Sequence, residues 1–301
     1  VKLARDVMSQ ELLERILRKA KAEACVFGVG LFNWTEPFLH PDLPAMVRTV
    51  NDLGLLCHLS TNLNSDRNLR EVLDAVPHEI RISCSGFTQE VYARTHTGGD
   101  IERVKWNMSQ VAMWRNPATK VHLLWHQYKH NAREEAAMRH FCNALEIEFR
   151  TVEAYLMPLE KVLARWGEKS EGLPLSGTKS EVEELLLTSV QEHKGLCAGR
   201  KMPCRNQTQE ITIDARGMVQ LCCGVYDPEK FTVCEYLSTP IERIQAARVT
   251  HDFCSGCLRS GGHVYVAGYS HSDPSVVRNA AKAVYRQIAP WVPRALLRRV
   301  V

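Results

Sequence analysis

Between residues 9 and 24, apolar side chains at Leu12, Leu13, Ile16 and Leu17 recur at three- and four-residue steps among polar ones. That spacing predicts an amphipathic helix. A short apolar run at 25–31 follows and reads as a buried strand. The pair then repeats. Helical spacing at 43–53 precedes a strand at 55–59, and a helix near 66–75 precedes a strand at 79–83. Helices at 100–115 and 133–145 alternate with strands at 120–125 and 147–152. Five strands joined by helices predict parallel neighbours, because a helical crossover returns the chain to the same end of the sheet. The expected class is α/β, a parallel sheet or barrel.

In such folds the working residues gather at the carboxyl ends of the strands. Asn33-Trp34-Thr35-Glu36-Pro37 follows the first strand and Ser60-Thr61-Asn62-Leu63-Asn64 the second. Ser83-Cys84-Ser85-Gly86 follows the third and His126-Gln127-Tyr128-Lys129-His130-Asn131 the fourth. Each segment carries more hydrogen-bonding groups than a connector needs, and together they outline a polar pocket. Singly, each residue would also serve as a helix cap or turn former.

Beyond residue 153 the alternation breaks. Helices are expected at 158–166 and 180–193, joined by a polar linker containing Gly172, Pro174 and Gly177. Residues 209–214 and 218–222 flank Ala215-Arg216-Gly217, a hairpin signal with glycine available for positive φ. A short helix is expected at 241–249, and 275–301 reads as a basic amphipathic tail (Lys282, Arg286, Arg294, Arg298, Arg299) broken by Pro290 and Pro293. This division predicts a core at 1–155, a helical linker at 156–196, a small cysteine-rich domain at 197–273 and a tail at 274–301.

Of eleven cysteines, seven lie between Cys197 and Cys257, so this smaller unit is where thiol chemistry is expected. Twelve residues separate Cys204 from Gly217 and four more separate it from Cys222; Cys254-Ser-Gly-Cys257 comes later. A two-residue gap lets two thiolates of one tight turn reach the same metal, and two distant cysteines complete a four-thiolate site. Disulfides compete for the same residues. The N-terminus has no signal-peptide pattern and no apolar run reaches the roughly 18 residues of a membrane span, so a reduced, cytoplasmic setting is the default. The net charge of +4 is dispersed and gives no case for nucleic acid. Cys25, Cys57, Cys84 and Cys142 sit in apolar or helical contexts and are expected to pack as small hydrophobes.

The loops and cysteines together resemble one family. Leu31-Phe-Asn-Trp-Thr-Glu-Pro-Phe-Leu-His-Pro-Asp-Leu43 resembles the Gly-Gly-Glu-Pro segment of radical S-adenosylmethionine (SAM) enzymes. Leu59-Ser-Thr-Asn-Leu-Asn64 resembles their Ser-Thr-Asn-Gly turn, and Ser83-Cys-Ser-Gly-Phe-Thr-Gln-Glu-Val-Tyr92 with Gly98-Gly99 resembles their Ser-x-Asp-Gly segment. The cysteine array is similar to the SPASM or Twitch extension that holds auxiliary iron–sulfur clusters. The resemblance covers about residues 10–265.

It implies a partial (βα)6 TIM-type barrel from which the first strand is missing. The family's defining Cys-x3-Cys-x2-Cys triad follows that strand, and the sequence contains no such triad. The chain is therefore expected to begin just downstream of it, as a fragment or a truncated gene product. Glu36 and the Thr35 backbone would take the amino group of SAM, with Thr35 in place of the usual glycine. Ser83 would contact the nucleoside, with Ser60 and Asn62 beside it. Ser85 stands where relatives carry Asp, and His96 near where they carry an Arg. Tyr128 and Asn131 fall where relatives pack adenine.

Cys204, Cys222, Cys254 and Cys257 would ligate one [4Fe–4S] cluster. Cys197, Cys223 and Cys234 are spare, with Cys223 a substitute for Cys222 and Cys197 a member of a different set. The implied function is that of a cytoplasmic iron–sulfur oxidoreductase generating a 5′-deoxyadenosyl radical from SAM to modify a peptide, sugar or small molecule. An electron-donor protein is implied; nucleic acid and membrane are not. The alternative is a non-catalytic or degenerate homologue with a structural four-cysteine zinc or iron–sulfur site.

Overall fold

The computed structural model describes residues 6–167, 181–200 and 202–270, with side chains as far as 266. The basic tail and the glycines and proline of the polar linker lie outside the described residues. Helix α1 (Gln10–Glu23) starts where Ser9 Oγ accepts from the Leu12 N–H, and it buries Leu13, Ile16 and Leu17. There follow β1 (Gly28–Gly30), α2 (Leu43–Asp52), β2 (Leu56–Thr61), α3 (Leu69–Asp74) and β3 (Glu79–Cys84). Then come α4 (Gln89–Ala93), α5 (Ile101–Trp114), β4 (Lys120–Gln127), α6 (Glu135–Ala144) and β5 (Glu148–Glu153).

The five strands form one parallel sheet in the order β1-β2-β3-β4-β5. An order that follows the chain without reversal is that of a TIM-type barrel wall, whereas a doubly wound sheet reverses at a switch point. The expected five strands and their parallel pairing are found, although β1 is only the middle of the apolar run at 25–31. One consequence is a correction: Cys25 is exposed, while Cys57, Cys84 and Cys142 are buried as expected.

Alternation within the strands fixes the two faces of the sheet. Cys57, Leu59, Ile80, Ile82 and Cys84 are buried toward the helices, where they pack with Val47, Val50, Val72, Val104 and Met108. His58 and Ser60 on β2 and Glu79, Arg81 and Ser83 on β3 take the opposite face and are half-buried. Parallel strands covered by apolar layers on both sides read as continuous hydrophobic runs. These do not, so the second face lines a polar lumen.

The remaining described residues hold α7 (Leu159–Arg165), α8 (Glu181–Leu185), α9 (Val190–Cys197), α10 (Arg205–Thr208), β6 (Thr212–Ile213), β7 (Met218–Gln220) and α11 (Pro228–Phe231). After them come β8 (Thr232–Glu235), α12 (Ile241–Val249), α13 (Asp252–Ser260) and α14 (Gly262–Ser270). Strands β6, β7 and β8 form an antiparallel sheet whose first hairpin turns at Gly217, with φ of 81°. Three expectations change. The helix read at 180–193 is two, α8 and α9, because Ser189 and Glu192 form a reciprocal capping box that starts a new helix. Strand β8 was not anticipated. Cys254 and Cys257 stand one turn apart on helix α13 rather than on a tight turn.

Helix α1 joins the two sheets: Leu13 and Leu17 belong to the parallel-sheet core, while Ile16 packs with Val219, Tyr236 and Ile244. The Trp34 indole donates to the Val225 carbonyl at 3.0 Å, and the Leu159 N–H to that of Gly224 at 2.8 Å. The lumen's rim is thereby tied to the loop that carries Cys222. No helix among the described residues is long and apolar enough to cross a membrane.

Candidate functional site

Glu36 follows β1 and caps a single helical turn at Pro37–Leu39. One carboxylate oxygen accepts from Thr61 Oγ1 at 2.6 Å and from the Phe38 N–H at 3.2 Å. The other accepts from the Asn62 N–H at 2.8 Å. Burial raises its pKa against the pull of these bonds. The carboxylate therefore locks the loop after β1 to the loop after β2, with a lone pair left on Oε2 for a further donor. Thr35 beside it is exposed.

Asn62 turns the chain by accepting the Asn64 N–H at 2.9 Å. Asn64 in turn donates to the Tyr92 hydroxyl at 2.6 Å and accepts from the Asp100 N–H at 2.7 Å. The Ser60 hydroxyl accepts from Arg81 Nε at 3.0 Å. Ser83 lies on the lumen face, half-buried, and its hydroxyl has no hydrogen-bond partner among the described residues.

His96 stacks on Tyr92 with ring centroids 4.3 Å apart, and its Nδ1 lies 2.9 Å from Ser85 Oγ. Burial lowers its pKa to about 4. At neutral pH it is an uncharged ring, able to offer one hydrogen bond but neither the charge nor the fork of an arginine. Asn131 is fully buried, and it donates to the Ser85 and His126 carbonyls at 2.9 and 2.8 Å. It is a brace between β3 and the loop after β4, its oxygen accepting from the Tyr128 N–H at 2.9 Å.

The structure thus gathers Glu36, Ser60, Asn62, Ser83 and His96 at the carboxyl ends of three adjacent strands and the loops after them. One residue of the same face was missed, and another, expected just after the fourth strand, lies within it. Arg81 projects from β3 beside Ser60, and His126 from β4, where burial and the nearby His96 and Arg81 push its pKa down to about 4. The signal was present in the strands, as polar residues at alternate positions opposite apolar ones. Deeper in the lumen, Glu79 lies 2.9 Å from His58 and 3.3 Å from His122. Burial raises the Glu79 pKa, but the two imidazoles outweigh it and hold the carboxyl below its ordinary range.

In the smaller unit, Cys204 precedes α10, Cys222 follows β7, and Cys254 and Cys257 share α13. All four line one cavity of about 30 Å³, together with Asn206, Gln207 and His263. Three buried atoms of those neighbours, Asn206 Oδ1, Gln207 Nε2 and His263 Nδ1, have no hydrogen-bond partner. Buried polar atoms are rarely left unpaired, which sets these three apart among the residues around the cavity.

Arg248, 1% exposed, donates to the carbonyls of Leu221 at 3.1 Å, Gln207 at 3.3 Å and Asn206. It makes no ion pair among the described residues, and the groups that could offset its charge are Cys222, Cys254, Cys204 and Cys223. A buried cation is costly without a counter-charge, and thiolates bound to a metal group supply one. Burial, with repulsion between the sulfurs, pushes the Cys222 thiol up to about 12 and Cys254 up to about 11, and Cys257 also rises. Such thiols keep their protons until a metal displaces them.

Among the described residues no three His, Cys, Asp or Glu side chains converge closely enough for a single ion. A four-iron cluster spreads its ligands more widely than one zinc, whose sulfurs sit about 2.3 Å from the metal. Four thiols around one cavity are a donor set that suits zinc as well as an iron–sulfur group. The other three cysteines are not among the residues lining this cavity: Cys223 accepts from Asn206 Nδ2 at 3.3 Å and lies 3.8 Å from Glu210 Oε2. Cys234 packs beside Ile16, and Cys197 in the apolar cluster around Tyr265.

No family model matches the sequence, and no curated protein does. Among solved structures, Streptococcus suis SuiB aligns over 85% of this chain and 62% of its own length, at a TM-score of 0.52 and 14% identity. SuiB bound to S-adenosylmethionine gives 86%, 66%, 0.52 and 13%. SuiB bound to its precursor peptide SuiA gives 86%, 62%, 0.53 and 13%. The chain shares SuiB's fold. It spans just under two thirds of SuiB's length, and at this identity the likeness is one of architecture.

Proposed function

We propose that this chain is the SAM-positioning barrel and auxiliary-cluster unit of a radical SAM enzyme that modifies a peptide or small molecule. The observation that carries the reading is the four-cysteine cavity with its orphaned polar atoms and uncompensated Arg248, set beside a polar lumen in a fold shared with SuiB. The SuiB complexes with SAM and with a precursor peptide support SAM as the cofactor and a peptide as the substrate class.

Glu36 would accept from the ammonium of SAM through the free lone pair on Oε2, with the Thr35 backbone alongside. Ser83, Ser60, Asn62 and the neutral His96 would position the nucleoside. SAM bound at a catalytic cluster supplies a 5′-deoxyadenosyl radical; the protein's part is to bind and orient the cofactor and the substrate. Cys204, Cys222, Cys254 and Cys257 would hold one [4Fe–4S] group able to relay an electron from a donor protein. Arg248 and the Gln207 and His263 side chains would tune its potential by charge and hydrogen bonding. Zinc is the competing occupant and a SAM-binding, non-cleaving homologue the competing function.

The SAM reading is tested by calorimetric titration of SAM into anaerobically reconstituted protein. Binding is expected, with Glu36→Gln weaker by roughly tenfold. Fully loaded protein that takes up no SAM overturns the reading.

A further inference from the structure

Arg81 is the lumen's unclaimed cation. It projects inward from the middle of β3, enclosed by protein on nearly all sides yet retaining some solvent contact, as a residue lining a lumen does. Its Nε is used, donating to Ser60 Oγ at 3.0 Å. Its guanidinium carbon lies 5.1 Å from the centroid of Phe32, a cation–π contact that holds the plane in place. The terminal nitrogens Nη1 and Nη2 have no hydrogen-bond partner among the described residues, and Arg81 makes no ion pair there.

The surrounding groups do not supply one. Glu79 is two residues deeper on the same face and is engaged by His58 at 2.9 Å and His122 at 3.3 Å, with Arg150 at 3.9 Å. The Tyr155 phenol is kept protonated, its pKa raised by burial. His126 and His96 are uncharged near neutral pH, their pKa values lowered to about 4 by burial.

We infer that Arg81, oriented by Ser60 and Phe32, is the anchor of a carboxylate-binding subsite inside the lumen. A guanidinium presents two parallel N–H donors that match the two oxygens of a carboxylate, and low local polarity strengthens the pair. The carboxylate comes either from the methionine end of SAM or from the second substrate. The inference depends on the proposed SAM function only for the first of these.

The test titrates SAM and decarboxylated SAM into the reconstituted wild type, Arg81→Met and Arg81→Lys, and separately titrates 13C-labelled glutarate by NMR. If Arg81 holds the SAM carboxylate, Arg81→Met weakens SAM by about ten- to a hundredfold and leaves decarboxylated SAM unchanged. Arg81→Lys restores part of the loss. If the carboxylate belongs to the second substrate, both nucleosides bind the Met variant normally while glutarate binding to the wild type disappears in it. Retained binding of decarboxylated SAM, or a wild-type far-ultraviolet circular dichroism spectrum, shows that the variant is folded. Equal weakening of both nucleosides, or no change for any of the three probes, overturns the subsite. Glutarate bound through Arg81 by a protein that takes no SAM would leave the subsite standing while the SAM reading fails.

Discussion

At the residue scale, the site's chemistry is set by which polar groups are spent inside the protein and which are left over. Glu36 spends most of its acceptors binding two loops together, Asn131 spends all of its amide, and Ser83 and the fork of Arg81 are left over. Glu36, Ser60, Asn62, Ser83 and His96 could be named from the sequence because they stand at strand ends or in the segments after them and match the family's motifs. Arg81 could not be found by inspecting loops, since it stands in mid-strand and its exposure to the lumen depends on the sheet's second face staying polar. His96 gives a pH prediction. Its pKa falls from 6.5 to about 4 on folding. Between those values the unfolded chain takes up a proton that the folded chain refuses, so stability declines as pH drops through this window and levels off below it. The contribution is at most about 3 kcal/mol. Urea unfolding of the metal-free protein at about pH 7 and about pH 4.5 should show a smaller acid loss for His96→Gln than for wild type. An identical loss would remove His96 from the account.

At the scale of elements, the amphipathic pattern located the strands and most helices because each has one apolar stripe and one sheet or solvent face. It failed where a local signal outranked periodicity. The Ser189–Glu192 capping box divides what reads as one helix, and β8 exists through pairing with β7 rather than through any pattern of its own. Close packing also fixes two glycines in opposite ways. A Cβ on Gly86 would lie 2.4 Å from the Tyr92 backbone nitrogen and 2.5 Å from its Cα, so α4 itself would have to move. Gly256 lies between Cys254 and Cys257 on α13, and its Cβ would meet nothing closer than Arg259 at 3.8 Å. Gly86→Ala should therefore lower stability by about 1–3 kcal/mol or more, and Gly256→Ala should raise it by up to about 1 kcal/mol. Thermal melts of the two variants decide the matter. A neutral Gly86→Ala would mean that α4 is not held against the β3 loop.

At the scale of the whole molecule, the parallel sheet and its lumen were foreseeable, since five βα cycles admit few arrangements. The docking of the smaller unit was not. Helix α1 buries Leu13 and Leu17 on one core and Ile16 on another, and a single hydrophobic stripe does not announce two partners. The array of cysteines was visible as spacing, and the family resemblance already divided it into four expected ligands and three spare thiols. What the fold adds is that Cys204, Cys222, Cys254 and Cys257 line one cavity, and that Cys197, Cys223 and Cys234 are not among its lining residues. The most direct test is metal and sulfide analysis with 57Fe Mössbauer spectroscopy after anaerobic reconstitution. The account predicts about four iron and four sulfide per chain in one cubane-type signal, lost in Cys222→Ser or Cys257→Ser and retained in Cys223→Ser. Protein that instead binds about one zinc per chain and incorporates no sulfide would contradict it.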